Sequence, residues 1–216
     1  MLLKSSISNR GGYEPPIRLA GFSGEWIERK LGDFTTRVVR KNTNLESQRV
    51  LTISALHGLV DQETYFNNRI ASNNIQNYYL LRRGEFAYNK STSQNYPFGA
   101  IKRLDAYDNG VLSTLYIAFA VNDPQIESDY LAAYFETDCW HDEIRKRAAE
   151  GARNHGLLNI SAEDFFDIKI LLPKDRNEQL AIGKYFTELS KHILLHEEEL
   201  EKLKALKESC LQGMFV

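Results

Sequence analysis

The feature that most constrains this chain is a long apolar periodicity in its last forty residues, 177–216. Apolar positions recur there at alternating steps of four and three residues, which is the a/d pattern of a helix that packs along a second helix. No proline interrupts the run, so we predict one helix, roughly 54 Å long at 1.5 Å per residue. The seam consists of Ile182, Phe186, Leu189, Ile193, His196, Leu200 and Leu203, and it resumes at Leu206 after a three-residue shift.

A helix of this length is longer than a small domain is wide, so its own domain cannot cover the whole seam. We therefore predict that a partner helix completes it. The alternative is a long terminal helix that folds back on its own domain. His196 occupies a core position of the seam, where it either fixes the register of the pair or packs as a neutral ring at the seam edge.

Size and composition predict one globular domain in addition to the helix. Of the 216 residues, 43% are hydrophobic, and about 175 residues remain for a core when the helix is set aside. We predict a flexible leader at residues 1–21, a globular domain at 22–173 and a spacer and dimerisation helix at 174–216.

The sequence also indicates where the protein resides. The leader has no apolar stretch typical of a signal peptide, and no run in the chain approaches the roughly 20 apolar residues that span a bilayer. The two cysteines, Cys139 and Cys210, lack metal-ligand spacing. We expect a cytoplasmic protein without a membrane partner.

Local patterns predict an α+β domain with a mixed or mostly antiparallel sheet. A short helix is expected from Ser23, a plausible N-cap, to Leu31, and a single helix at residues 128–149. Ser161 opens one further helical turn, and residues 59–65 form a short strand or a loop. Alternating or continuous apolar runs predict strands at residues 49–55, 78–81, 85–89, 100–104, 111–121 and 168–172.

Charge is unevenly distributed, although the net charge is only −2. Residues 69–103 contain six basic residues and a single acid, Glu85, which gives a local charge of +5. This segment is also rich in Asn, Gln, Ser, Thr and Tyr, as a surface that contacts phosphates and base edges requires. An ordinary solvated surface explains the charge equally well.

We assign candidate DNA contacts from side-chain chemistry, because Asn and Gln pair with adenine and Arg or Lys with guanine. Two alternatives stay open: residues 153–155 brace the helix before them, and Arg82 flanks a hairpin turn. The candidates for phosphate contacts are Arg69, Arg82, Lys102 and Arg103. The candidates for base contacts are Lys90, Ser91, Gln94, Asn95, Arg153, Asn154 and His155.

Motifs of catalysis are missing from the sequence. It has no Walker loop, no dinucleotide-binding glycine fingerprint, no His-Glu-x-x-His helix and no Gly-x-Ser-x-Gly elbow. Its five histidines are scattered, and none has a carboxylate at the spacing that metal binding or base catalysis requires. We therefore predict a binding protein with no catalytic residues, no metal site and no cofactor.

Three motifs occur in a specific order along the chain. Trp26-x3-Lys30-Leu31-Gly32-Asp33 opens the domain, Pro173-x4-Glu178-Gln179-x2-Ile182 opens the helix, and Leu211-Gln212-x-Met214-Phe215 ends it. In this order they resemble the specificity (S) subunit of type I restriction–modification systems, over nearly the whole chain after the leader.

The resemblance implies a target recognition domain that reads one half of a bipartite DNA sequence, followed by a spacer helix that docks methyltransferase (M) subunits. A motor–nuclease (R) subunit joins such complexes for restriction, and the S subunit itself is not catalytic. We place the dimer and methyltransferase interface on the helix, at Glu178, Gln179, Ile182, Phe186, Leu189, Ile193, His196, Leu200, Leu203 and Leu206.

The chain departs from the family in one respect, because a typical S subunit has two recognition domains and two spacer helices. Here there is one of each, so the resemblance implies either an antiparallel pair of identical chains related by a two-fold axis or pairing with a different half-subunit. Two other classes stay open: a nuclease or modification enzyme with a dimerisation helix, and an adaptor that makes no DNA contact.

Overall fold

The computed structural model describes residues 13–54, 57–66, 75–148 and 156–215. A domain of short strands and helices is followed by one helix of 39 residues. The strands are β1 Trp26–Lys30, β2 Thr35–Arg37, β3 Leu51–Ser54, β4 Gly58–Asp61, β5 Tyr79–Arg82, β6 Phe86–Asn89, β7 Ala100–Arg103, β8 Asn109–Leu112, β9 Ile117–Val121 and β10 Lys169–Pro173. The helices are α1 Gln62–Phe66, α2 Ser128–Phe135, α3 His141–Arg147, α4 Ala162–Phe166 and α5 Arg176–Met214.

The strands form four small sheets, and every pairing between named strands is antiparallel. The largest sheet has four strands in the order β2-β9-β6-β7, and β1-β10, β3-β4 and β5-β8 form two-stranded sheets. This confirms the predicted α+β class with a long C-terminal helix. Among the described residues no helix is long and apolar enough to cross a membrane.

The two faces of the central sheet serve two cores because side chains alternate along a strand. On one face Phe86 and Tyr88 of β6 pack with Phe119 of β9 and with Phe165 of α4. The rings of Phe86 and Phe119 stack with 5.1 Å between centroids, and those of Tyr88 and Phe165 with 4.7 Å. On the other face Ala87 belongs to a smaller core beneath the other sheets.

The prediction of a helix between Ser23 and Leu31 is wrong. Residues Trp26–Lys30 form β1 instead, and a 3-10 turn follows at Leu31–Asp33. A short isolated helix is marginal in water. Pairing with β10 over five residues, from Trp26 opposite Pro173 to Lys30 opposite Lys169, satisfies the backbone of this segment better.

Two other predicted elements each divide into two. The apolar run 111–121 contains a turn, closed by a 3.2 Å hydrogen bond from Tyr116 N to the carbonyl of Ser113, so β8 and β9 lie in different sheets. The helix predicted at 128–149 ends at Phe135 and restarts as α3. Between them Thr137 Oγ1 donates to the carbonyl of Tyr134, and the buried indole of Trp140 donates to that of Phe135.

The predicted helical turn at Ser161 is confirmed. Ser161 accepts a hydrogen bond from Asp164 N at 3.0 Å and so caps α4.

Residues 13–21, which we expected within a flexible leader, contact the domain: Trp26 N donates to the carbonyl of Tyr13 at 2.8 Å. The domain boundaries remain predictions, and residues 1–12 lie outside the described part.

Among the described residues, the long helix α5 packs on the domain through its first two turns only. Asp175 caps it by accepting a hydrogen bond from Asn177 N at 2.8 Å. At Gly183 the helix backbone lies against Asp129 and Tyr130 of α2, so closely that there is no space for a side chain. From Tyr185 onward nearly all side chains of α5 are exposed.

We predict that Gly183→Ala destabilises the protein by about 1–3 kcal/mol because overpacking forces the backbone to shift. The added Cβ would lie 2.7 Å from both Asp129 Cβ and Tyr130 N. The matched control is Gly213→Ala in the same helix, where no atom lies within 4 Å; there the higher helix propensity of alanine adds up to about 1 kcal/mol. Urea unfolding measures both. Equal effects of the two substitutions would contradict the close packing at Gly183.

Candidate functional site

The loop between β6 and β7, residues 90–99, presents polar side chains on a tight turn. Ser93 and Tyr96 exchange two backbone hydrogen bonds of 3.1 Å each, which places Gln94 and Asn95 at the exposed tip. At the base of this loop Thr92 N donates to the carbonyl of Gly156 at 2.7 Å. The loop therefore has a fixed base and a tip available to a partner.

Aromatic packing supports the other end of the loop. Tyr88 OH donates to the carbonyl of Phe98 at 2.8 Å. The Phe98 ring lies 4.9 Å from the His141 ring and 5.0 Å from the Arg145 guanidinium carbon. Gly99 has a φ of +77°, and a Cβ there would collide with the carbonyl of Asn89. Burial raises the pKa of Tyr88, so its hydroxyl remains a hydrogen-bond donor.

The structure brings together four of the predicted base contacts. Lys90 and Ser91 lie at the base of the 90–99 loop, and Gln94 and Asn95 lie at its tip. Residues 153–155 lie outside the described part of the chain, as does Arg69. In sequence, 153–155 directly precede Gly156, which is bonded to this loop.

Two predicted phosphate contacts are ion-paired within the domain. Lys102 Nζ lies 2.6 Å from both carboxylate oxygens of Glu136, and only 9% of its side chain is exposed. Arg103 pairs with Asp105 and Asp129 at 2.7 and 2.6 Å. Since a phosphate would have to replace these partners, neither residue presents a free positive charge in this structure.

Arg82 is exposed and lies apart from the 90–99 loop. It precedes β6 whereas Lys90 follows β6, so they are separated by roughly 13 Å, the length of a four-residue strand. Its side chain has no hydrogen-bond partner among the described residues. Its backbone N and Arg40 Nη2 both donate to the Glu85 carboxylate at 2.8 Å.

Further cations lie near Arg82, at and just after the end of β2. Arg37 ends β2, Arg40 and Lys41 follow it, and the carbonyl of Arg40 accepts a hydrogen bond from Leu80 N of β5. Arg37 and Arg40 line a shallow open depression of about 410 Å³. This hydrogen bond and the ion pair between Arg40 and Glu85 bring the group beside Arg82, and no local sequence signal contains these long-range contacts.

The exposed part of the predicted seam of α5 begins at Phe186, the seam position after Ile182. Ile182 packs against the domain core. The residues after it, Phe186, Leu189, Ile193, Leu200, Leu203 and Leu206, are between 42% and 60% exposed. His196 is exposed as well, with Nδ1 3.6 Å from Glu199 Oε2. The part of the chain that the structure describes leaves this stripe uncovered, so the helix is not folded back on the domain.

Glu178 and Gln179, which we assigned to an interface, form hydrogen bonds within their own chain. The Glu178 carboxylate accepts hydrogen bonds from Arg18 Nε and Nη2 at 2.8 and 2.7 Å and from Trp26 Nε1 at 3.3 Å. Gln179 accepts from Glu127 N at 3.0 Å and donates to the carbonyl of Pro173 at 2.9 Å. Both side chains are buried, so they are left out of the interface proposed below.

Comparison with solved structures identifies the architecture. The HsdS subunit from Thermoanaerobacter tengcongensis superposes with a TM-score of 0.52 at 18% identity, covering 88% of this chain and 46% of the other. The S subunit of a type I restriction–modification system from M. genitalium superposes with a TM-score of 0.50 at 14% identity, covering 85% of this chain and 44% of the other. The chain has the fold of a type I S subunit.

A third structure, solved to explain complex assembly and conformational transition of the type I R-M system, matches this chain to the same extent. Its TM-score is 0.52 at 15% identity, covering 93% of this chain and 51% of the other. The chain thus spans about half the length of the S-subunit structures that it matches. No family model and no curated protein matches the sequence.

We predict that acid weakens the packing beneath the 90–99 loop through His141. Burial lowers the pKa of His141, against a smaller opposing effect of Asp138. Since the pKa of an unfolded histidine is about 6.5, stability is lost as the pH falls from about 6.5 towards the lowered folded-state pKa. Urea unfolding between pH 7.5 and 5 measures this loss. His141→Phe should flatten the profile in that window, and an unchanged profile would contradict the assignment.

Proposed function

We propose that this chain is the DNA-recognition subunit of a type I restriction–modification complex, in a half-length form with one recognition domain and one spacer helix. The observation that carries the proposal is the S-subunit fold, shared over 85–93% of the chain. In this proposal the chain supplies no catalytic group or cofactor, acts in the cytoplasm, and leaves methyl transfer and cleavage to its partners.

The 90–99 loop is the proposed base-reading surface. Gln94 and Asn95 offer amide donors and acceptors at an exposed tip, the pattern that pairs with adenine in the major groove. Lys90 offers a cation for guanine edges or phosphates, and Ser91 a hydroxyl. No acid occurs between residues 86 and 99 that would repel DNA. Arg153, Asn154 and His155 remain proposed members of this surface because they precede Gly156.

Phosphate contacts are proposed for Arg82 and, outside the described residues, for Arg69. The Arg82 side chain is exposed and has no hydrogen-bond partner among the described residues, while its backbone N and Arg40 Nη2 both donate to the Glu85 carboxylate. Lys102 and Arg103 fit this role less well, because each would have to exchange an intramolecular carboxylate for the phosphate. We assign these two residues mainly to the packing of β7 against α2.

The exposed stripe of α5 is the proposed assembly surface. A second copy of the chain, antiparallel about a two-fold axis, would cover Phe186, Leu189 and Ile193 and complete the heptad seam. A different half-subunit would do the same. The remaining helix surface would dock methyltransferase subunits, with a motor–nuclease subunit joining for restriction. Such a dimer would read two inverted half-sites separated by a gap.

We predict that the double substitution Gln94→Ala and Asn95→Ala weakens specific DNA binding at least about 30-fold, since each bidentate base contact contributes about 1–3 kcal/mol and two are removed. The target is first obtained from a random duplex library, with M subunits present, and confirmed by mapping methyladenine in cells that carry the chain. Binding of the double variant to that target and to unrelated duplex is then compared by mobility shift.

The control for this substitution is Gln125→Ala, which removes an exposed amide before α2 without touching the loop. It should bind as the unaltered chain does, and the double variant should keep its salt-sensitive binding to unrelated duplex. If no salt-sensitive binding appears even with M subunits, the adaptor alternative is favoured. Cleavage or methylation by the isolated chain would favour the enzyme alternative.

We predict that Leu189→Lys with Ile193→Lys abolishes self-association, because two charges would replace apolar side chains at the centre of the seam. Both residues are exposed in the isolated chain, so the domain should remain folded. Sedimentation velocity measures the mass. The control is Leu195→Lys, an exposed leucine outside the seam. A monomeric unaltered chain that also fails to bind M subunits would exclude the proposed assembly.

A further inference from the structure

The helix α5 leaves the domain through a junction that fixes it on two sides. On one side Gly183 lies against the backbone of α2, and Gln179 bonds to Glu127 N at the start of α2. On the other side Glu178 bonds to Trp26 of β1 and to Arg18. We call Arg18, Trp26, Glu178, Gln179 and Gly183 the domain–helix junction.

Arg18 reaches this junction from a segment that precedes the domain, 160 residues before Glu178 in sequence. Its guanidinium donates through Nε and Nη2 to the two oxygens of Glu178, and through Nη1 to the carbonyl of Gly24 at 2.6 Å. Only 1% of the Glu178 side chain is exposed. A buried carboxylate without its cation is strongly unfavourable, so Glu178 requires Arg18 in order to remain in this position.

The length of α5 amplifies any movement at the junction. From residue 184 to residue 214 the helix extends roughly 46 Å, so a tilt of about 10° displaces its far end by about 8 Å. Successive base pairs are only about 3.4 Å apart along DNA. A dimer of such chains would therefore place its two reading surfaces at one defined separation only if each junction is stiff.

We propose that Arg18 is a positioning residue that fixes the angle between the domain and α5, and thereby the gap between the two half-sites that a dimer accepts. The part concerning the gap rests on the proposed function, whereas the stiffness of the junction does not. Without Arg18 the β1 side of the junction loses its ionic contact and keeps only the 3.3 Å hydrogen bond from Trp26, so the contacts with α2 become the main attachment of α5. The domain then tilts about the Gly183 contact.

The natural cysteines allow the stiffness to be measured without DNA. Cys139 lies in the domain and Cys210 near the end of α5, and both are exposed. Spin labels on both, in samples diluted with unlabelled chain, report the distance between them as a distribution. We expect a single narrow distribution for the unaltered sequence and at least a twofold wider one for Arg18→Ala. Arg18→Lys, which keeps the charge but not the two-point contact, should be intermediate.

The matched control is Arg29→Ala. Arg29 also forms a partly exposed ion pair, with Asp123 at 2.8 Å, and donates to the carbonyl of Asp33, but it lies outside the junction. Its distance distribution should remain narrow. Equal widths for Arg18→Ala and the unaltered chain would overturn the proposal, as would equal broadening by Arg29→Ala. If Arg18→Ala does not fold, Arg18→Lys replaces it: a distance distribution wider than that of the unaltered chain supports the proposal, and an equal width overturns it.

The second measurement uses duplexes that carry two inverted half-sites at gaps varied by single base pairs. We expect one strongly preferred gap for the unaltered chain and for Arg29→Ala, and at least a fivefold loss of preference over neighbouring gaps for Arg18→Ala. Affinity for a single half-site should not change. A retained gap preference, or a loss of half-site affinity, overturns the role of Arg18. Absence of DNA binding by the unaltered chain instead refutes the proposed function and leaves the spin-label result standing.

Discussion

The antiparallel pairing of β1 with β10 determines how the rest of the chain is arranged. It joins the first strand of the domain to the last, with Trp26 opposite Pro173. Because α5 starts three residues after Pro173, the helix leaves the domain beside the chain's early residues. The ion pair between Arg18 and the buried carboxylate of Glu178 forms at this point, between residues far apart in sequence. One strand pair thus supplies both closure of the domain and attachment of the helix.

The cations of the domain fall into two groups according to what surrounds them. Lys102 and Arg103 have carboxylate partners from α2 or the turn after it, and these pairs attach the edge strand β7 to the helical layer. Arg37 and Arg82 have no such partners among the described residues and remain at the surface. A local charge of +5 in the sequence therefore overstates the charge that is available to a ligand.

Sequence patterns predicted most of what depends on local order. The heptad spacing gave α5, continuous in the structure from Arg176 to Met214, and alternation gave strands close to β3, β5, β6, β7 and β10. The failures have a common physical origin. The segment 22–31 has a helical signal that a strand pairing 140 residues away overrides, and Lys102 looks free until its contact with Glu136 is known. Local sequence contains neither contact.

The same distinction applies to the candidate site. Residue chemistry selected Lys90, Ser91, Gln94 and Asn95, and the structure places all four on one loop with Gln94 and Asn95 exposed. Glu178 and Gln179 were recognised as part of a motif and assigned to an interface, whereas in the structure both side chains are buried within their own chain. Their burial depends on Arg18 and Pro173, which belong to other segments.

The way in which the 90–99 loop is closed has an evolutionary consequence. The bonds that form its turn join the main chain of Ser93 to that of Tyr96, and the bonds at its base use the carbonyls of Phe98 and Gly156. None of them depends on the identities of the two residues at the tip. Mutation at positions 94 and 95 therefore leaves the scaffold intact, and a lineage carrying this fold can vary these two side chains without refolding the loop.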